Sequence, residues 1–263
     1  MSYEHISVRR DGPIAELALS RPDVRNAMSP AMGDEITDAV ASLRDDHGLR
    51  AVVVTGEGKS FSAGGDFDLL EARTKTPGEE NRRGMRDFYA KYLSIRRLRV
   101  PTIAALHGHA IGAGLCFAMA CDLRLAAAGT KLGVTFVRVG LHPGMGATFL
   151  LPALVGRAAA AELLLTGRVV DAERAAAIGL VSEVLDDEAS LRERAFAVAG
   201  EIAKGAPVAV AQLTETLRHG GYRTLDEALD REASCQAVDY ATRDMAEAID
   251  AFRNKRKPDF VGR

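Results

Sequence analysis

Tryptophan is absent from the 263 residues, and five tyrosines with nine phenylalanines make up all the aromatic content. So sparse a set announces no aromatic box for a bulky or aromatic ligand tail. Cysteine is equally scarce. Cys116, Cys121 and Cys235 form no metal-ligand spacing and no even disulfide set, which fits a reducing cytoplasm and gives no metal site. Charge of one sign is lacking too: a formal net charge of −2 argues against a general electrostatic nucleic-acid binder. The one local basic run, RNKRKPDFVGR at the end of the sequence, equally suits a solvated helix end. The apolar stretch IGAGLCFAMAC is too short to span a membrane. MSYEHISVRRDG alternates and carries charge too early for a secretory signal. The expectation is a soluble cytoplasmic protein that engages neither nucleic acid nor membrane.

What is present is ordinary in amount, 47% hydrophobic and 27% charged, and the length allows one large α/β domain or a domain with an appendage. The first 130 or so residues alternate strand and helix signals. HISVRR and IAELALS are short β-type runs separated by the turn DGP. SPAMGDEITDAVASLRDD has helical apolar spacing, with Ser29 as N-cap and Pro30 at the first helical position. RAVVVTGEG and PTIAALHG read as buried parallel strands, and DLRLAAAGTKLGV as a further strand and turn. From GATFLLPALVGRAAAAELLLTG onward, helical spacing and Ala, Leu, Glu and Arg dominate. No solenoid period, low-complexity linker or long heptad run interrupts the chain. The layout is an α/β core over residues 1–200 and a helical region over 201–263.

Two glycine-rich turns look built for backbone N–H donation. KSFSAGGDFDLL follows the AVVVTG strand and enters a helix with Asp66 near its N-cap. GHAIGAGLC follows PTIAAL and opens a helix that is apolar nearly all the way round. Glycine lets backbone approach a ligand with no Cβ in the way, and a buried helix start leaves N–H groups needing partners. Neither turn has the Lys-Ser/Thr of a P-loop, and GHAIGAG lacks the downstream acid of a dinucleotide fingerprint. Either turn alone also suits a tight strand-to-helix connection.

Together, and in this order, the motifs resemble those of the enoyl-CoA hydratase/isomerase family, the crotonase superfamily. SRPDVRNAMS is similar to the family's Arg-Pro…Asn-Ala segment, FSAGGD to its Phe-x-Ala-Gly-x-Asp turn, and GHAIGAGLCFAMACDLRLAA to its second glycine turn and helix. LGVTFVRVGLHPGMGATFLLPALVG resembles the segment with Pro-Gly-x-Gly and Leu-Pro, and GLVSEVL and FRNKRKPDFVGR also match. The resemblance covers nearly the whole chain. It implies an α/β crotonase-like spiral of ββα units, a helical C-terminal region that mediates trimer formation, and a homotrimer or dimer of trimers.

The same resemblance implies an acyl-CoA thioester as substrate, with coenzyme A as part of it and no prosthetic group. The oxyanion-hole donors would be the backbone N–H groups of Gly65 and Ala113. These amides would stabilise the charge of a thioester enolate, helped by the positive end of the helix from Ala113. Coenzyme A would lie near Arg25, Ala27 and the backbone of Ala63, Gly64, Gly65, Asp66 and Phe67, with Gly112 and Ala113 opposite. Phe252, Lys255 and Lys257 would reach a CoA phosphate, although a solvated basic tail explains the same three residues.

The sequence departs from the family where its acid and base should be. Hydratases of the family place a water with two glutamates; here Cys116 and Phe136 occupy those positions. A thiol and a phenyl ring do not replace a carboxylate pair, which argues against ordinary enoyl-CoA hydration. Substitute acids and bases are Asp68 and Glu71, which as i and i+3 share a helix face, and His142 beside the Pro-Gly turn. The plainer readings are a solvated acidic face and a hydrogen-bonded loop histidine. Asp66 reads as a helix cap, and His107 and His109 as packing residues. Cys116 near a helix start could be a thioesterase nucleophile, but buried cysteine is usually inert. The leading expectation is therefore an enolate-stabilising lyase or isomerase, of isomerase or decarboxylase type. The alternatives are a non-catalytic acyl-CoA-binding trimer and, more weakly, a thioesterase.

Overall fold

A computed structural model describes residues 3–219 and 224–263. Its centre is set by the period of two in the AVVVTG run. Strand β3 (Ala51–Gly56) is buried throughout, with Val52 and Val54 in one hydrophobic core and Ala51 and Val53 in a second core on the opposite face. Around it runs a six-stranded sheet of β1 (Ile6–Asp11), β2 (Ile14–Leu19), β3, β4 (Thr102–Leu106), β6 (Leu123–Ala127) and β9 (Glu183–Leu185), in that spatial order. Only the β1–β2 hairpin is antiparallel; every later neighbour pair is parallel. A second sheet joins β5 (His109–Ile111), β7 (Lys131–Gly133) and β8 (Val169–Asp171).

Helices cover both faces. On the larger core lie α1 (Pro30–Arg44), α2 (Phe67–Thr74), α3 (Gly78–Leu93), α4 (Ala113–Met119), α5 (Ala147–Thr166) and α6 (Ala172–Ala177). The other face is covered by α7 (Glu188–Ala203), whose Leu191, Ala195 and Ala199 pack on the sheet. The chain then runs through α8 (Pro207–Arg218), α9 (Leu225–Asp239) and α10 (Arg243–Arg253). Ser29 caps α1 by accepting from the Met32 N–H at 3.2 Å, with Pro30 as its first helical residue.

Three features differ from the sequence reading. Strands continue past residue 130: β7, β8 and β9 are three residues each, too short to show alternation, yet β9 completes the main sheet. The boundary at 200 falls inside α7, which ends at Ala203. Helix α5, with a mean hydropathy of 1.6, is long and apolar enough by length and composition to cross a membrane. It is broken, however, by Gly156 at φ 75°, ψ 164°, and carries Pro152 within its first part.

Two side-chain clamps fasten outlying helices to the main sheet. Glu16 of β2, 7% exposed, receives both guanidinium N–H groups of Arg192 on α7 and the Thr55 hydroxyl at 3.0 Å. Burial alone would raise the Glu16 pKa, but the hydrogen bonds from Arg192 and Thr55 hold it below the ordinary value. Arg218, at the end of α8, grips Asp122 with two N–H groups and donates to the carbonyls of Arg96 and Val100 in the segment before β4.

Candidate active site

The site grows from the C-terminal ends of β3 and β4. Beyond β3, Phe61 and Ser62 run beside the segment after β4: the Phe61 N–H donates to His107 O, the Ser62 N–H to His109 O, and the Ile111 N–H to Ser62 O, all at 2.9–3.0 Å. A third segment joins from before α1. Ala63 N–H donates to Arg25 O, Met28 N–H to Gly64 O, and Asp66 N–H to Met28 O. The buried Asn26 locks the three together. Its amide donates to Glu57 O and Ser60 O, its side-chain oxygen accepts from Arg21 N–H, and its carbonyl accepts from the Ser62 hydroxyl.

Two glycines let the turns meet. Gly64 has φ 103°, and a Cβ there would stand 2.8 Å from Ile111 O and 3.7 Å from Ala113 N. Gly112, at φ 54° and ψ −120°, turns the chain into α4 while its own N–H bonds Gly133 O at 2.7 Å. Among the described residues, no backbone carbonyl accepts from the N–H of Gly65 or Ala113. A Cβ built on Gly65 would meet nothing within 4 Å, so open space lies beside it. The start of α4 is pressed against Ser62, since a Cβ on Gly114 would come within 2.6 Å of the Ser62 side chain.

Of the coenzyme-binding candidates, Arg25, Ala27, Ala63, Gly64, Gly65, Asp66, Phe67, Gly112 and Ala113 are brought to this junction. Arg25 is exposed with a left-handed backbone, φ 53°, and Phe67 is 75% exposed. Asp66 caps α2 by accepting from Asp68 N–H and pairs with Arg21 at 3.0 Å. Phe252, Lys255 and Lys257 are exposed at the end of α10. The tail beyond them folds back: Arg256 pairs with Glu247 and Asp250, and the Val261 and Gly262 N–H groups donate to Asp244.

The substitute acids and bases fall elsewhere. Asp68 and Glu71 do share a face of α2, but it is turned to solvent, where Glu71 binds Lys75 at 3.0 Å. Leu69, on another side of α2, packs inward. His142 is exposed, its Nδ1 2.8 Å from Pro143 O, in an apolar cleft of 530 Å³ with Val137, Leu141, Leu164 and Leu165. His107 is buried, its Nε2 3.0 Å from Gly58 O, whereas His109 is exposed at the start of β5, its Nδ1 3.3 Å from the Ser60 hydroxyl, and is not the packing residue the sequence suggested.

Cys116 is fully buried on the first turn of α4, its thiol directed at Gly144 O at 3.7 Å. Burial pushes that thiol up to about 12, the opposite of what a thiolate nucleophile requires, which weighs against the thioesterase alternative. Phe136 is half-buried against the main core and begins a single turn, Phe136–Val139, whose other residues are exposed. No carboxylate therefore stands at either position.

Two site residues escaped the sequence reading. Asn26 lay in view between Arg25 and Ala27, but its role depends on partners more than 30 positions away. Tyr89 lies on α3, in the polar stretch GEENRRGMRDFYAKYL. A Cβ on Gly144 would stand 2.4 Å from its hydroxyl oxygen, which brings this phenol beside the Cys116 turn.

The chain matches the family model described as enoyl-CoA hydratase/isomerase over residues 9–263. It is 36% identical over 266 residues, the full length of both chains, to the crotonyl-CoA hydratase of Syntrophomonas wolfei. Among solved structures, the enoyl-CoA hydratase of Bacillus anthracis superposes with a TM-score of 0.92 at 32% identity, covering 99% of this chain and 100% of that one. An enoyl-CoA hydratase from Polaromonas gives 0.91 at 32% identity, covering 97% and 99%.

Proposed function

The chain belongs to the enoyl-CoA hydratase/isomerase family, and from that premise we propose that it stabilises an acyl-CoA enolate without performing ordinary hydration. The observation that carries the reading is the junction itself. Among the described residues, the N–H groups of Gly65 and Ala113 have no carbonyl acceptor, and open space lies beside Gly65, while a buried thiol and a phenyl ring stand at the two glutamate positions.

A thioester carbonyl oxygen lying between the two amides accepts from both. Its negative charge grows as the enolate forms, so the preorganised donors stabilise the transition state more than the ground state. Arg25, Ala27 and the Ala63–Phe67 backbone hold the coenzyme A portion, which enters as part of the substrate. Hydration needs a base to activate water and an acid at the α-carbon, and the absent carboxylates remove both. Decarboxylation needs neither for the first step, because the electron pair of the departing carbon–carbon bond becomes the enolate. Isomerisation needs one proton-shuttling group.

The working unit is a homotrimer or a dimer of trimers. Its support is the apolar surface one chain leaves open: Phe149 and Leu165 on α5 are 65% and 79% exposed, and Val139, Leu141, Leu217 and Leu225 are also exposed.

The test is a panel of saturated, 2-enoyl, 3-enoyl and malonyl-type CoA thioesters incubated in heavy water, with product masses followed. The reading expects α-deuteration or loss of CO2 with the thioester intact. Binding of coenzyme A thioesters with no mass change anywhere in the panel would instead favour a trimer that holds acyl-CoA without turnover.

A further inference from the structure

Tyr89 is the one phenol of α3 whose hydroxyl has no hydrogen-bond partner among the described residues. Its neighbour on the same helix, Tyr92, is fully buried and donates to Ser29 O at 2.7 Å. Tyr89 is half-buried and packs against the main core. A run of ring contacts holds its helix in place: Tyr89 to Phe88, Phe88 to Tyr92 at 4.8 Å, Tyr92 to Phe117 of α4 at 5.9 Å, and Phe117 to Phe61 at 6.5 Å. The phenol is thus anchored to the helix that carries Ala113.

Its position follows from Gly144 and Cys116. The hydroxyl occupies the space a Cβ on Gly144 would need, and the Cys116 thiol touches the Gly144 carbonyl. Cys116 follows Ala113 by three residues, ~4.5 Å along a helix axis. Cys116, and the phenol beside it, therefore stand about one helical turn from the proposed oxyanion donor.

We propose that Tyr89 fills the place of the absent carboxylates and delivers the proton that quenches the enolate. The inference rests on the enolate reading of the same site. In the step, the enolate electron pair forms the new α-carbon–hydrogen bond, the O–H electron pair stays on the phenol oxygen, and the phenolate regains its proton from water. Burial, with the Cys116 thiol second, holds the phenol above its usual pKa, so it stands ready as an acid and not as a base.

The experiment compares wild type, Tyr89→Phe and Gly144→Ala with methylmalonyl-CoA in heavy water, where loss of CO2 generates the enolate without a base, alongside binding of butyryl-CoA. Tyr89→Phe keeps the ring and should fold and bind butyryl-CoA as wild type does. Its kcat should fall about 100-fold at unchanged KM. Deuterium from the residual decarboxylation should enter both faces of the α-carbon instead of one. Gly144→Ala, whose methyl group displaces the hydroxyl, should reproduce that loss. Unchanged kcat and stereochemistry in Tyr89→Phe would overturn the assignment and leave the enolate reading standing. A wild-type protein that binds butyryl-CoA yet leaves methylmalonyl-CoA unaltered would overturn the enolate reading and this assignment with it.

Discussion

Gly65 and Gly114 flank the same junction, yet a methyl group at each would meet opposite surroundings. At Gly65 nothing lies within 4 Å, and its backbone is not in the left-handed region. Gly65→Ala should therefore fold with an unchanged melting temperature while its Cβ intrudes where a thioester would lie. Turnover should fall about 10-fold or more through displaced thioester, although the N–H donor is kept, as steady-state rates beside a melting curve would reveal. At Gly114 the new Cβ would approach the Ser62 side chain at 2.6 Å and its carbonyl at 2.9 Å. That variant should lose about 1–3 kcal/mol in urea unfolding along with activity, because helix and turn must part. Equal loss of stability in both variants would contradict this contrast. These glycines were legible as motif residues, since backbone approach without a Cβ leaves a mark in sequence. Tyr89 was not legible: its meaning comes from a neighbour, Gly144, 55 positions away, and no local pattern records that.

At the scale of elements, strands β3 and β4 and helices α1 and α4 were readable because one apolar period decides each. Ser29 and Pro30 start α1, and every residue of α4 is buried. Helix α3 was not read because its outer surface is dense with charge, Arg82 and Arg83 both pairing with Glu79, while only Phe88 and Tyr92 are buried. The Glu16–Arg192 clamp between β2 and α7 yields a prediction about acid. The folded pKa of Glu16 is lowered, so the stability it confers is complete above the unfolded carboxylate value and is lost as pH falls through the folded one. Urea midpoints should decline across that acid window. Arg192→Ala should cost about 1–3 kcal/mol at neutral pH, leaving a buried carboxylate held mainly by Thr55, and should show a smaller further decline in acid. A variant with the full acid-induced loss of wild type would disprove the clamp's part in it.

At the scale of the whole molecule, the exposed apolar side chains support the proposed assembly. Phe149, Leu165 and Val139 are exposed near the His142 cleft, and α8 and α9 expose Leu213, Leu217, Leu225 and Leu229. Light scattering should give three or six times the chain mass of 28.1 kDa, and Phe149→Asp should lower it. A monomer at micromolar concentration would oppose that assembly. The fold class and the glycine junction could be expected from ordered motifs spread along nearly the entire chain. The acid–base chemistry could not: Cys116 and Phe136 were readable at the two glutamate positions, but the proposed substitute, Tyr89, is brought beside the Cys116 turn from the distant helix α3. The most direct measurement is therefore the mass of a crotonyl-CoA and methylmalonyl-CoA mixture after incubation with the protein in heavy water. The account expects crotonyl-CoA to gain no water while methylmalonyl-CoA loses CO2 and takes up one deuterium at the α-carbon. Rapid addition of water to crotonyl-CoA, at about 1 s⁻¹ or faster, would contradict it.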